Sequence, residues 1–396
     1  MYTFIRNNRW YVMLNVFSLA IILGSIWFVF KPVALPEPAT LAEITHAHEL
    51  GLQWLSANFQ DGVFRYELDP QFDETPESSN ALRQLMASRV VASEAATSDI
   101  FQEIHTENIE YVLQEWYKED EGGGYVFFKD KSKLGANAML LRSIVASPDF
   151  EQYEDQARML AEGIMALQND DGSFVPWYVE PDYEYEADHL LNFYSGEALL
   201  ALFEYYEKTN DEVVLSASQK GADFYITKYV EQIDENYHPA YVPWHTLAYS
   251  KLFTLSEDTR YVEAIYVMND RLLDLLDTTI RPGRFYKSEL EDEGQEAPHA
   301  SSDAVYLEGL LYAYELARDT GEAIRAEQYR EAIELSAARL VALQYQSEEV
   351  GFLADPRAYI GAIPVRENTS RIRVDTVQHT LDAFEKYLIV FEAESR

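Results

Sequence analysis

Asp375 and His379 stand four residues apart in the segment Arg371-Ile372-Arg373-Val374-Asp375-Thr376-Val377-Gln378-His379, a polar opening to an otherwise apolar stretch. On a helix this spacing puts both on one face. There a carboxylate can orient an imidazole and raise its basicity for acid–base work. The same pattern suits an Asp at a helix N-terminus above a core histidine. Arg371 and Arg373 either grip a substrate carboxylate bidentately or pair with neighbouring acids. Glu197 follows Gly196 and precedes the apolar run Ala198-Leu199-Leu200-Ala201-Leu202-Phe203. A carboxyl group in such company is either a general acid or a buried group satisfied by Arg83 or Arg142. Tyr194 is a candidate to contact a substrate carboxylate or to move a proton, and Asp188 and His189 lie just upstream. Asp303 follows His299-Ala300-Ser301-Ser302 and is either a second catalytic carboxylate or a helix cap. Glycoside hydrolysis needs two carboxyl groups across the bond, and Glu197 with Asp303 or Asp375 would supply them.

Other chemistries find less support. Cysteine is absent, so there is no disulfide, thiolate metal site or Cys nucleophile. Asp188, His189, His299, Asp375 and His379 have no metal-ligand spacing such as HExxH, and no metal is expected. Neither a phosphate-binding glycine loop nor a Gly-x-Ser-x-Gly elbow occurs, and no cofactor is expected. The net charge of −37 repels nucleic acid and anionic lipid headgroups. Aromatic residues make up 14% of the chain, 28 of them Tyr, which suits either a sugar-binding cleft or a large helical core.

The elements that must position these residues repeat. A helix-like stretch ends in a polar turn with glycine, and an aromatic follows: Asp61-Gly62-Val63-Phe64, Gly123-Gly124-Tyr125, Asp171-Gly172-Ser173-Phe174, a degenerate Asn236-Tyr237-His238-Pro239-Ala240-Tyr241, Gly283-Arg284-Phe285 and Gly351-Phe352. Glycine allows the positive φ that ends a helix, and the aromatic caps the packing. Amphipathic segments precede the turns, at 41–59, 100–118, 153–168, 211–230, 259–276 and 322–344. More apolar segments follow, at 80–92, 135–146, 193–207, 244–255, 302–318 and 374–391. Six outer and six inner helices in alternation predict an all-α (α/α)6 toroid over residues 41–396. Small residues (Gly135, Ala136, Ala138, Gly196, Ala198, Ala201) allow the inner helices to approach closely.

This repeat resembles the six-hairpin toroid superfamily, which includes glycoside hydrolases, polysaccharide lyases, sugar epimerases and the helical domain of glucuronyl C5-epimerases. The resemblance implies a site in the funnel at the N-terminal ends of the inner helices. Five of the eight histidines fall at those junctions. Arg83, Lys133, Asn137, Trp244 and His245 fall there as well, and Trp177, Trp244 and Tyr194 would stack on sugar rings. The Gln168-to-Phe174 turn also resembles the repeat of triterpene cyclases, but their Asp-rich acid motif is missing.

Ahead of the toroid, residues 10–30 form an uncharged run of 21 residues with aromatics at both ends. At ~1.5 Å per residue it matches a membrane's hydrocarbon core. Arg6 and Arg9 place residues 1–9 in the cytoplasm, and 31–40 form a proline-bearing linker. A cleaved signal peptide would have a shorter apolar region. The expectation is a membrane-anchored enzyme outside the cytoplasm acting on a glycan, including one that bears uronic acids. Hydrolysis is preferred over lyase or epimerase chemistry. The alternative is a non-catalytic toroid that binds a polymer or a protein in envelope polysaccharide biosynthesis or export.

Overall fold

The computed structural model describes residues 35–70, 78–287, 299–351, 353 and 355–394. Six helical hairpins form a ring: α1 (Leu41–Ala57) with α2 (Ala81–Glu94), α3 (Asp99–Glu115) with α4 (Leu134–Ala146), α5 (Glu154–Met165) with α6 (Ala187–Thr209), α7 (Glu212–Ile226) with α8 (Tyr241–Ser256), α9 (Thr259–Leu273) with α10 (Ala300–Asp319), and α11 (Ala323–Leu343) with α12 (Val374–Glu394). Odd-numbered helices lie outside. Each even-numbered helix packs on the next, and α12 returns to α2 to close the inner ring. This is the expected (α/α)6 toroid. In that order α6 and α12 stand on opposite sides of the ring.

Local chemistry starts and stops these helices. Thr40 and Glu43 form a reciprocal capping box at α1, and Asn80, Asp211 and Asp258 cap α2, α7 and α9. The outer helix α5 buries Ala157, Leu160, Ala161 and Ile164, one stripe at helical spacing. The inner helix α10 buries residues on nearly every face, from Ala304 and Leu307 to Leu310 and Leu311. The expected limits shift in places: α6 begins at Ala187, which draws Asp188 and His189 into the helix.

The glycine turns do more than end helices. Gly172 has φ +97°, and a Cβ there would lie 2.4 Å from the carbonyl oxygen of Lys220 on α7, the next outer helix. Phe174 is buried beside it, and Gln168 Nε2 donates to the Ala217 carbonyl of α7 at 2.9 Å. The sixth turn is corrected. Gly351 has an ordinary helical φ of −61°, whereas Gly361 (φ +86°) presses on α1, where a Cβ would lie 2.0 Å from the Leu50 oxygen. Gln344 Nε2 donates to Ala47 O of α1 at 2.8 Å, repeating the Gln168 contact and tying the last hairpin to the first.

Inside the ring, burial of charge is managed by pairing. Arg142 on α4 holds Glu204 on α6 through Nε and Nη2 at 2.8 and 2.9 Å, and Arg89 on α2 pairs with Asp382 on α12. Two-stranded pieces sit at the ring's mouth. Glu67–Leu68 pairs with Ile372–Arg373, which runs into α12, and Ser132–Lys133 pairs with Trp177–Val179 and runs into α4. Residues 10–30 lie outside the described residues. Among those described, no helix is long and apolar enough to cross a membrane.

Candidate active site

A cavity of about 320 Å³ opens at the N-terminal ends of the inner helices. Every inner helix or its lead-in contributes: Arg83 from α2, Lys133 before α4, Tyr194 and Glu197 from α6, Trp244 from α8, Tyr306 from α10, and Asp375 and His379 from α12. The expected gathering of distant junctions into one funnel is therefore present.

Glu197 is its central acid. The side chain is 1% exposed, and Oε2 has no hydrogen-bond partner. Neither arginine proposed to satisfy it does so, since Arg142 holds Glu204 and Arg83 lies on Asp375, Nε to Oδ2 at 2.8 Å. Burial pushes the Glu197 carboxyl up to about 8, against the opposing pull of Arg142, Lys133 and Arg83. It is thus a protonated carboxylic acid at neutral pH, facing a cavity. Room for it comes from Gly135 on α4, where a Cβ would stand 2.2 Å from Oε2 and 2.7 Å from the Tyr194 ring. Burial and Glu197 raise the Tyr194 phenol, which stays protonated.

Asp375 is its opposite. Arg373 grips it bidentately, Nε to Oδ1 at 2.5 Å and Nη2 to Oδ2 at 2.6 Å, and Arg83 adds a third contact. Burial alone would raise its pKa, but these cations hold it below the usual carboxylate range. The cavity therefore carries a protonated acid and an ionised one on opposite helices. Arg373 Nη2 also contacts His299 Nδ1 at 2.8 Å. Burial, with Arg373 and Arg366 nearby, lowers His299 to about 4. His379 also falls to about 4, chiefly through burial, and its Nδ1 has no partner. Asp375 and His379 share no hydrogen bond; both Asp375 oxygens are turned to Arg373 and Arg83 instead. Trp244 sits against His379, ring centroids 5.9 Å apart, and His189 lines the mouth beside Phe193.

Other candidates lie elsewhere. Asp303 does not line the cavity; it accepts the Phe285 N–H at 3.0 Å and faces Arg339 Nε at 3.7 Å, fastening the fifth glycine turn. Arg371 is no substrate clamp in this arrangement, being paired with Glu67, Nη2 to Oε2 at 2.8 Å. Asp188 is exposed and bound to Lys228 at 2.7 Å. His245 is fully buried among Tyr225, Tyr229, Tyr241 and Tyr249, its Nδ1 on the Tyr241 carbonyl at 2.9 Å. Trp177 packs outside the cavity beside Tyr183 and Tyr185.

One residue without an assigned role emerges. Lys133 lines the cavity, and burial together with Arg83 and Lys131 lowers its ammonium to about 8. Its signal was visible as three lysines in Lys129-Asp130-Lys131-Ser132-Lys133, within a chain of 68 acids and 31 bases. Among the described residues, Glu308, His379 and Asp382 could bring ligand atoms within 4.8 Å of one another below the cavity. Asp382 is already paired with the Arg89 guanidinium.

A scan of the sequence against protein-family models finds no match, and a search of curated proteins finds none. Solved structures do match. A GH76 alpha-mannanase from Bacteroides thetaiotaomicron superposes with TM-score 0.64 at 7% identity, covering 89% of this chain and 97% of that one. An unsaturated glucuronyl hydrolase specific for heparin gives 0.62 at 11% identity over 89% and 98%. Cellobiose 2-epimerase from Bacillus thermoamylovorans B4167 gives 0.65 at 13% identity over 87% and 98%. Likeness at this level of identity concerns architecture, and it agrees with the ring described above: the chain has the (α/α)6 toroid fold.

Proposed function

We propose that this protein is a carbohydrate-active enzyme whose funnel binds a glycan, with Glu197 as its proton donor. The observation that carries this reading is the buried Glu197 carboxyl, whose Oε2 has no hydrogen-bond partner, facing a cavity of sugar size, with burial pushing the group up to about 8. In hydrolysis Glu197 gives its proton to the glycosidic oxygen as the C–O bond breaks. Asp375, ionised and on the opposite side of the ring, accepts a proton from the attacking water. Trp244 offers its face to a sugar ring. Uronyl epimerase or lyase chemistry would use the same acid, with Arg83 and Arg373 beside a substrate carboxylate. The solved mannanases, uronyl hydrolase and epimerase of this architecture act on sugars, which supports the class.

The charge-free run at residues 10–30 supports a single-pass anchor, with the toroid outside the cytoplasmic membrane. Protease accessibility of the toroid in intact cells tests that part.

A non-catalytic binding role is the second reading, favoured by the engagement of Asp375 with two guanidiniums. One assay separates them. The full chain is incubated with neutral and acidic polysaccharides, and product reducing ends, unsaturated ends and solvent deuterium uptake are measured. Turnover that disappears in Glu197→Gln supports the enzyme; binding with no turnover on any substrate supports the second reading.

A further inference from the structure

Next to the funnel lies a smaller cavity of about 90 Å³, bordered by Asn80, Phe128, Lys129, Lys131 and Lys133. Asn80 and Lys133 border both cavities, so the two adjoin. Three lysines from one five-residue segment meet here. A tight turn with Lys129 and Asp130 at φ 51° and 60° reverses the chain, closed by a bridge between Phe128 and Lys131. Asp130, the one acid in the segment, borders neither cavity.

Among the described residues these lysines have no carboxylate at ion-pair distance. Lys129 Nζ reaches the Ser79 carbonyl at 3.4 Å and lies over the Phe128 ring at 5.3 Å. Lys131 lies over the Tyr183 ring at 5.0 Å and Lys133 over Trp177 at 5.8 Å. Their neighbours are treated differently: Arg83, Arg371 and Arg373 each hold an acid. Gathering three like charges with no counter-charge among the described residues is unfavourable. The N-terminus of α2 opens into the same space through Asn80 and Ala81, adding the positive end of a helix dipole. The volume suits a single oxyanion group and not a second sugar ring.

We infer that this side cavity is a subsite for an anionic substituent, a carboxylate or sulfate ester carried by the sugar adjoining the one in the funnel, so that the substrate is an acidic glycan. The inference rests on the reading of the funnel as a glycan site. Lys131 and Lys129 contact the substituent, while Lys133 bridges the two cavities. The anion supplies the counter-charge that the described residues do not, so recognition weakens with added salt.

The test compares the full chain with the Lys129→Ala/Lys131→Ala variant, whose altered side chains are exposed or half-buried. Binding is measured for three oligosaccharides of equal length that are neutral, uronate-bearing and sulfated. The expected result is at least a tenfold loss of affinity for one or both acidic ligands and no change for the neutral one. The acidic ligand that suffers identifies the substituent. Equal affinities in both proteins for every ligand would overturn the subsite and leave the glycan reading intact. If no oligosaccharide binds, the glycan reading fails, and thermal stabilisation by inorganic sulfate still reads the cavity. Stabilisation lost in the variant supports anion binding there; equal or absent stabilisation in both proteins rejects it.

Discussion

Oε2 of Glu197 occupies the space that a side chain on Gly135 would need, with 2.2 Å between that oxygen and a Cβ built on the glycine. The acid and the glycine come from adjacent inner helices, α6 and α4. Gly135→Ala is therefore expected to displace the carboxyl group while leaving the helices packed. The cost in stability is about 1–2 kcal/mol, since the end of a flexible side chain yields first. Turnover falls by about tenfold or more, because proton transfer depends on placement. Denaturation midpoints and kcat, measured together, check the split.

Glu197 also sets a pH dependence. Its carboxyl titrates near 4.5 when unfolded and at about 8 when folded. Between those values unfolding releases a proton, so rising pH favours the unfolded chain. The stability linked to this group is fully present below 4.5 and is lost as pH rises through about 8. Glu197→Gln removes this group's share of the dependence, while Glu308, also pushed up to about 8 by burial, keeps its own. The variant should match the parent in mild acid and melt at a higher temperature at alkaline pH. For the parent, kcat/KM should hold up to about pH 8 and then decline, an alkaline limb that marks loss of the acid's proton. A flat profile across that range would remove Glu197 from the donor role.

Asp375 behaves in the opposite sense. Its folded pKa lies below its ordinary value, so its contribution is present above about 3.8 and disappears as pH falls through the lower folded value. Asp375→Asn leaves Arg373, 7% exposed at its side chain, without its counter-charge. The expected destabilisation is about 2–4 kcal/mol, discounted because the Arg83 side chain is 33% exposed. Urea unfolding at neutral pH measures it, and an unchanged midpoint would contradict the burial of this pair.

Two glycines separate backbone strain from collision. Gly321 and Gly361 have φ +80° and +86°, but a Cβ on Gly321 meets nothing within 4 Å, whereas one on Gly361 would lie 2.0 Å from Leu50 O. Gly321→Ala should cost about 1 kcal/mol, the price of the left-handed conformation. Gly361→Ala should cost about 3 kcal/mol or more, because backbone must move. Equal losses would mean that the contact with α1 is not tight.

The ring was legible because its repeat is local: helix period, glycine and aromatic all fall within one hairpin. The sixth turn was misplaced for the same reason. Gly361 is followed by Ala362 and Ile363, so a search for an aromatic partner finds Gly351 instead. That Glu197 is a buried carboxyl was legible from its apolar company. Asp303 was not, because its partners are the Phe285 amide and Arg339, contacts that only the closed ring creates. Arg371 and Arg373 look equivalent as a pair, yet the chain passes from strand to helix just after them. One meets Glu67 and the other meets Asp375.

The press of Gly361 on Leu50, with Gln344 reaching Ala47, gives this architecture no first or last hairpin. Removing any one hairpin would break two seams instead of one. New termini cut into an outward-facing loop would break none, so the order in which the hairpins are strung along the chain is free to change while their order around the circle is not.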